Sequence, residues 1–146
     1  MLMHATSVAL KSSGQPWQAV LLRGPPGAGK SDLALRLIDA GGRLIADDQT
    51  HLDRKGHVLI ASAPAAIAGR MEVRGVGVVR LPRAKLIARA PVALLVDLVA
   101  PAQVERMPEP AEEVQEEIAL PLLALAPFEA SAAAKLHLAL QRIAAA

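Results

Sequence analysis

Hydrophobic and polar positions follow two different periods in the first third of the chain. Residues 17–23 (WQAVLLR) are mostly apolar, as in a buried strand, and lead directly into a glycine-rich turn. Beyond the turn, apolar residues recur from Leu33 to Ile38 at the spacing of one helix face, and Gly41-Gly42 marks the end of that helix. The pattern predicts a strand, a loop and a helix in direct succession.

Five further stretches have the alternation or the short apolar run of a strand. They are residues 4–11 (HATSVALK), 43–47 (RLIAD), 51–62 (HLDRKGHVLIAS, a hairpin turning at Lys55-Gly56), 91–99 (PVALLVDLV) and 119–127 (ALPLLALAP).

The last third of the chain adds an acidic stretch and a second helix. Residues 108–117 (PEPAEEVQEE) are charged and punctuated by proline, which predicts an exposed loop. Residues 131–146 predict a terminal helix with Ser131 as N-cap and an apolar stripe formed by Leu136, Leu140 and Ile143. Strands and helices arranged around a glycine loop predict an α/β or α+β fold.

The totals restrict the class of protein. A chain of 146 residues predicts one domain, spanning 1–146. The absence of cysteine excludes disulfides and thiolate chemistry. Aromatic residues make up 1% and the net charge is only +2, so neither base stacking nor a basic field favours a nucleic-acid partner. No signal-like start or membrane-length apolar run is present, which predicts a cytoplasmic protein without a membrane partner.

The glycine-rich turn matches G-x-x-x-x-G-K-[ST], with a strand before it and a helix after it. Backbone N–H groups of such a loop surround phosphates, the lysine reaches the terminal phosphates, and the hydroxyl binds Mg²⁺. The motif therefore predicts ATP and Mg²⁺ as ligands. The predicted nucleotide-binding residues are Gly24, Pro25, Pro26, Gly27, Ala28, Gly29, Lys30 and Ser31.

A phosphoryl-transfer enzyme also needs an acid near the nucleotide, and two places compete for that role. Asp97 follows the longer apolar strand, whereas Asp47 and Asp48 come only one helix and one strand after Lys30. Adjacent residues of a strand point to opposite faces, so one acid of the pair can face the nucleotide while the other anchors the loop. This arrangement favours Asp47 and Asp48.

The segment GPPGAGKSDLALRLIDAGGRLIADD (24–48), followed by MEVRGVGVV (71–79), resembles the catalytic domain of the HPr kinase/phosphorylase family. The second segment is the more specific, because a generic P-loop kinase has no reason to carry it. The resemblance implies an HPr kinase-like fold with a mixed central sheet and flanking helices. It also implies a serine kinase acting on HPr or an HPr-like phosphocarrier, and a hexameric homo-oligomer.

The resemblance also implies a role for individual residues. Asp48 would be the base for phosphorylation, and Lys30 would neutralise the transferred group. Ser31 and Glu72 would hold Mg²⁺, with Asp47 as a further candidate ligand. His4 would lie near the active site. Arg106 would also belong to the catalytic residues, where it could stabilise developing charge.

The sequence departs from the family pattern in three ways. The chain starts just before His4, as in the short forms that consist of the catalytic domain only. Pro25-Pro26 removes two loop N–H donors. Residues 120–135 contain neither glycine nor arginine where the family has a Gly-Arg pair linked to dephosphorylation, so weak or absent phosphorylase activity is expected. The alternatives are a small-molecule P-loop kinase and a nucleotide-sensing regulator with little turnover.

Overall fold

The computed structural model describes residues 1–145, which form a curled nine-stranded mixed sheet, a separate two-stranded hairpin and two α-helices. The predicted α/β fold with a mixed central sheet and flanking helices is confirmed. The strands are β1 Leu2–Met3, β2 Thr6–Lys11, β3 Trp17–Arg23, β4 Arg43–Ala46, β5 Thr50–Lys55, β6 Val58–Ser62, β7 Arg70–Val73, β8 Gly77–Arg80, β9 Arg89–Leu98, β10 Ala111–Gln115 and β11 Ile118–Leu125.

Strand β9 is the central strand of the large sheet. It runs parallel to β3 along one edge. Its other edge is shared, because β6 pairs antiparallel with its start and β11 pairs parallel with its end. Strands β2 and β4 extend the sheet beyond β3 in antiparallel fashion. The carboxyl ends of β3, β9 and β11 therefore lie along one edge of the sheet, where parallel sheets place their ligands.

The two helices cover one face of this sheet. Helix α1, Lys30–Asp39, buries Leu33, Ala34, Leu37 and Ile38 as its apolar spacing predicts. Helix α2, Ala132–Ala145, buries Leu136 and Leu140, and Ile143 is half-buried against the same core. The opposite face of the sheet has its own core, built from the alternate strand residues and closed by the curled β5–β6 hairpin.

Two predicted elements need correction. The acidic stretch 108–117 was predicted as an exposed loop, but Ala111–Gln115 forms β10 and pairs antiparallel with β11. An ion pair between Arg23 and Glu113 ties this edge strand to the rest of the sheet, a tertiary contact that local composition cannot show. The β5–β6 hairpin is confirmed, although its turn lies at residues 56–57, one position later than predicted.

The β7–β8 hairpin stands apart from the large sheet. Its strands pair antiparallel, with Glu72 opposite Val78. Met71 is buried in the core under α1, whereas Val76 and Val78 are 73% and 71% exposed. No helix among residues 1–145 has the length and apolar character that crossing a membrane requires.

Candidate active site at the glycine loop

The glycine loop joins β3 to α1 in a tightly packed turn. A Cβ added at Gly24 would lie 2.8 Å from the Cβ of Ala28, so only glycine fits there. Gly29 precedes the first helical residue with φ of 98°, a left-handed conformation that favours glycine. These two glycines explain how the chain curls back on itself between a buried strand and a buried helix.

The loop leaves backbone donors free at the start of α1. The first helical hydrogen bond runs from the N–H of Leu33 to the carbonyl of Gly29, so the N–H groups of residues 30–32 have no acceptor within the helix. Such groups, with the positive end of the helix dipole, attract phosphate. Pro25 and Pro26 lie in the exposed turn before this cradle, and the Pro25 carbonyl accepts from the N–H of Ala28.

Lys30 lies at the start of the helix with its ammonium turned back over the loop. Its Nζ donates to the carbonyl of Gly24 at 2.7 Å and lies 3.5 Å from Oδ1 of Asp48. The Lys30 side chain is only 10% exposed, whereas that of Asp48 is 65% exposed. A shielded cation and an accessible carboxylate therefore stand side by side at the end of the loop.

Asp47, the other acid of the pair, is held in place by hydrogen bonds to both of its carboxylate oxygens. Its Oδ1 accepts hydrogen bonds from the Ser31 hydroxyl at 2.8 Å and from the Thr6 hydroxyl at 3.3 Å. Its Oδ2 accepts from the backbone N–H of Glu72 at 2.9 Å. One carboxylate thus links the glycine loop, the start of β2 and the β7–β8 hairpin.

Asp48 takes a conformation that few side chains accept. Its φ is 67°, in the left-handed region, where Asp and Asn are the best tolerated residues after glycine. Its N–H donates to the hydroxyl of Thr6 at 3.0 Å, which holds the reversed backbone in place. The two acids therefore diverge because the chain turns between them, after β4 has ended at Ala46.

The oxygen donors at this site suit a hard divalent cation. Ser31 Oγ and Asp47 Oδ1 lie side by side because the hydroxyl donates a hydrogen bond of 2.8 Å to the carboxylate. Residues 1–145 contain no cluster of three His, Cys, Asp or Glu side chains arranged around a metal position. Mg²⁺ is usually bound through one or two carboxylates together with substrate phosphates, so a site of this kind does not need three protein carboxylates.

A cleft of about 380 Å³ opens beside the two acids. Its lining combines the acids Asp47, Asp48 and Glu72 and the cation Arg70 with apolar residues that include Ile67 and Val78. Glu72 is exposed on β7 and is held close to Asp47 by its backbone N–H. Glu72 is thus brought to the site from a distant part of the sequence.

The structure places His4 and Arg106 at the surface without such contacts. His4 lies in the exposed bend between β1 and β2, two residues before Thr6, and forms no hydrogen bond or ion pair within residues 1–145. Arg106 lies in the exposed connection between β9 and β10 and likewise has no polar partner in the described part of the chain. Neither side chain forms a hydrogen bond or an ion pair with Lys30 or Asp48 in the described part of the chain.

The competing acid Asp97 belongs to a different network. Arg23, the last residue of β3, donates to both carboxylate oxygens of Asp97 at 2.7 and 3.1 Å. It also donates to Glu113 on β10 at 2.6 and 2.8 Å. The hydrogen bond with Arg23 lowers the pKa of Glu113 from 4.5 to about 2, and the two acids raise that of Arg23. Asp97 therefore holds strands together next to the glycine loop.

Sequence reasoning missed two residues of this region. Thr6 is fully buried and bridges Asp47 and Asp48, and Arg23 joins three strands directly before Gly24. Thr6 and Ser7 interrupt an otherwise apolar strand, and that interruption was the available signal. Arg23 gave a similar signal, as a charge at the end of the apolar run 17–23.

Comparison with known proteins agrees with this geometry, which is that of a P-loop phosphate-binding domain. Residues 3–119 match the family model described as "HPr Serine kinase C-terminal domain". The chain belongs to this family, as the resemblance in the sequence indicated.

Individual relatives give the same assignment. HPr kinase/phosphorylase from Lactobacillus acidophilus is 40% identical over 77 residues, which cover 52% of this chain and 22% of that protein. HPr kinase/phosphorylase from Prosthecochloris aestuarii is 51% identical over 61 residues, which cover 41% of this chain and 18% of that protein. The matched region thus spans only about a fifth of the length of these relatives.

A solved structure extends the similarity over the whole fold. The structure of the Hpr(Ser) kinase/phosphatase from Coxiella burnetii superposes with a TM-score of 0.80 at 25% identity. The match covers 97% of this chain and 88% of that chain. The arrangement of strands and helices described above is therefore shared with that protein.

Proposed function

We propose that the chain is an ATP-dependent protein serine kinase domain that phosphorylates HPr or an HPr-like phosphocarrier. The observation that carries the proposal is the 3.5 Å separation between Lys30 Nζ and Asp48 Oδ1. The P-loop lysine marks the position of the terminal phosphates, so a carboxylate beside it can receive the proton of an attacking hydroxyl. Membership of a family described as HPr serine kinases supports a seryl hydroxyl of HPr as the acceptor.

In this proposal Asp48 is the general base. Its carboxylate accepts the proton of the seryl hydroxyl while the seryl oxygen forms a bond to the γ-phosphorus of ATP. The bond from that phosphorus to the β–γ bridging oxygen breaks, and its electron pair leaves with ADP. Lys30 neutralises the charge on the transferred group. The exposure of Asp48 leaves its carboxylate accessible to an acceptor that arrives from solvent.

The loop 24–31 holds the phosphates in this scheme through the free N–H groups at the start of α1. Ser31, Asp47 and Glu72 are the residues that would hold Mg²⁺. The ion, when bound, neutralises charge on the β- and γ-phosphate oxygens. The hydrogen bonds of Asp47 with the Ser31 hydroxyl and with the backbone N–H of Glu72 bring these three residues together, which supports the proposed set.

The surroundings of Asp48 favour a polypeptide acceptor over a small molecule. The cleft beside it is bordered by the β7–β8 hairpin, on which Val76 and Val78 present exposed apolar side chains. An apolar projection next to the base offers a contact surface for a protein. HPr, ATP and the proposed kinase would meet in the cytoplasm. Neither a nucleic acid nor a membrane is part of the proposal.

Four further features of the proposal rest on the sequence and its resemblance to the family. His4 would tune Asp48, and Arg106 would stabilise charge in the transition state. The domain would assemble as a homo-oligomer, a hexamer in the family. Phosphorolysis of seryl-phosphorylated HPr would be weak or absent, because residues 120–135 lack glycine and arginine. Phosphate-dependent loss of the phosphoryl group at rates close to those of the kinase step would overturn this last point.

The test of the proposed function is incubation of the chain with Mg-ATP and HPr from the same organism, followed by intact mass measurement of HPr. We expect HPr to gain the mass of one phosphoryl group, and an HPr variant with alanine at the acceptor serine to remain unchanged. Unmodified HPr, together with measurable ATP binding, would favour the nucleotide-sensing alternative. That alternative retains some support from Pro25-Pro26, which removes two donors from the loop.

A further inference from the structure

Phe128 lies directly against the glycine loop. It is the only phenylalanine of the chain and lies in the connection between β11 and α2. A Cβ placed on Gly29 would be 2.9 Å from Cζ and 3.1 Å from Cε1 of the Phe128 ring. One edge of the ring therefore contacts the loop at the residue before Lys30, while the side chain as a whole is 69% exposed.

The turn that carries Phe128 is fixed to helix α1. Arg36 donates hydrogen bonds to the carbonyls of Pro127 and Glu129, and to Asp32 on its own helix at 2.9 Å. Lys135 of α2 forms an ion pair with Glu129 at 2.9 Å. Isolated exposed apolar residues are common and need no explanation. Phe128 differs from such residues because its ring is held at a fixed position against a phosphate-binding loop.

The orientation of a bound nucleotide follows from the groups around the loop. Lys30, Ser31 and the two acids mark the end where the terminal phosphates lie. From the end marked by Lys30 and Ser31, the free N–H groups at the start of α1 continue the phosphate-binding surface along the N-terminus of the helix. The turn with Phe128 packs on this part of the molecule, because Arg36 joins it to Asp32 in the first turn of α1. With its terminal phosphate at Lys30, a triphosphate can therefore extend its nucleoside end toward Phe128, which lies against Gly29.

We propose that Phe128 is the stacking platform for the nucleobase of the bound nucleoside triphosphate. This inference rests on the proposed function and assigns the base-binding end of the same site. Phe128 is 69% exposed on an anchored turn, and stacking of a planar base on an aromatic ring requires no specific hydrogen bond. It also explains why a chain with only 1% aromatic residues has one at this position without burying it.

The test compares ligands with and without a base. Isothermal titration measures the affinities of Mg-ATP and of Mg-tripolyphosphate for the wild type and for Phe128→Ala, Phe128→Leu and Phe128→Trp. We expect Phe128→Ala to weaken ATP binding about 10-fold, within the range found for loss of one base–aromatic stack, and to leave tripolyphosphate binding unchanged. Phe128→Trp should restore ATP affinity and Phe128→Leu should not. Leu138→Ala, an equally exposed apolar position on α2, is the matched control and should change neither affinity.

Two results would overturn the assignment. Equal losses for ATP and tripolyphosphate in Phe128→Ala would show that the ring only shapes the loop at Gly29, and unchanged ATP affinity would show that the ring contributes nothing. Phosphoryl transfer to HPr by the wild type separates these results from failure of the proposed function. If the wild type transfers phosphate and Phe128→Ala binds ATP normally, only the stacking role of Phe128 is refuted. If the wild type binds no ATP, the stacking role and the proposed kinase function are both refuted.

Discussion

The hydroxyl of Ser31 donates to Oδ1 of Asp47 at 2.8 Å and thereby joins the end of the glycine loop to the turn after β4. The two residues are separated by the rest of α1 and by β4, so the contact depends on the helix packing back over the sheet. The same carboxylate also binds Thr6 and the N–H of Glu72. The position of the proposed metal site is thus set by one acid and its hydrogen bonds.

Replacing Ser31 tests its role toward Mg²⁺. Ser31→Ala removes one of the two adjacent oxygens proposed to bind Mg²⁺, the hydroxyl that donates to Asp47. We expect the Mg²⁺ concentration for half-maximal transfer to rise by about 10- to 100-fold, the effect usual for lost ligands or their supporting groups. Ser31→Thr is the control, because it keeps the hydroxyl and satisfies the same motif. Equal Mg²⁺ dependence of all three proteins would exclude Ser31 from the metal site.

Thr6 is a positioning residue whose loss should affect both acids. Its buried hydroxyl donates to Asp47 and accepts from the N–H of Asp48. Thr6→Val keeps the shape but leaves that N–H without a partner, which should cost about 1–3 kcal/mol in the free energy of unfolding. Turnover should fall more than ATP affinity, because Asp48 loses its orientation. Thr6→Ser should preserve both quantities, and urea unfolding with titration of ATP measures them.

The ion pair of Glu113 with Arg23 predicts a pH-dependent contribution to stability. The folded pKa of Glu113 is lowered from 4.5 to about 2 by its hydrogen bond with Arg23. The stabilisation is therefore complete above pH 4.5 and declines as the pH falls toward 2. Glu113→Gln should lower the free energy of unfolding near neutral pH by on the order of 1 kcal/mol, since the pair is partly solvent-screened.

The difference between wild type and Glu113→Gln should shrink as urea unfolding is repeated at decreasing pH below 4.5. Glu112→Gln is the matched control, because Glu112 is exposed on the same strand and points to the other face. A difference that stays constant down to pH 2, or that appears equally in the control, would show that Glu113 adds no ionic stabilisation.

The turn between β10 and β11 offers a stabilising substitution. Glu116 and Glu117 have φ of 49° and 66°, a conformation that costs most residues about 1–2 kcal/mol and that Asn-Gly adopts readily. The double variant Glu116→Asn, Glu117→Gly should raise the melting temperature, and loss of the exposed Glu117–Arg54 pair should matter little. Gly56→Ala in the neighbouring hairpin, where φ is 64°, should lower it. An unchanged or lower melting temperature of the double variant would contradict this explanation.

The same turn shows where sequence reasoning failed. Two adjacent glutamates carry no hairpin signal, and the acidic strand before them is at an edge and held by Arg23. Its Glu113 pairs with Arg23, 90 residues away, and no local pattern can show that contact. In contrast, the strand–loop–helix unit of 17–39 was predictable, because its apolar spacing, glycines and loop motif all indicate the same structure.

The candidate site was predictable in part for the same reason. The motif fixed Lys30 and Ser31, and their short separation from Asp47 and Asp48 indicated that the acids lie nearby. The two acids occupy different positions, with Asp47 hydrogen-bonded to the loop and Asp48 beside Lys30. This difference follows from the positive φ of Asp48 and from its contact with Thr6. The φ of Asp48 and its contact with Thr6 depend on tertiary packing, so the local sequence around the two acids could not predict them.

The most direct test of Asp48 as the general base is the comparison of Asp48→Asn with the wild type in two measurements, Mg-ATP affinity and phosphoryl transfer to HPr. Asn tolerates the φ of 67° at this position, so the fold should be retained. As the proposed general base, Asp48 should contribute about 10²- to 10⁴-fold to the rate. We predict a loss of transfer in that range with ATP affinity preserved. Transfer by Asp48→Asn at the wild-type rate would contradict the assignment of Asp48 as the base.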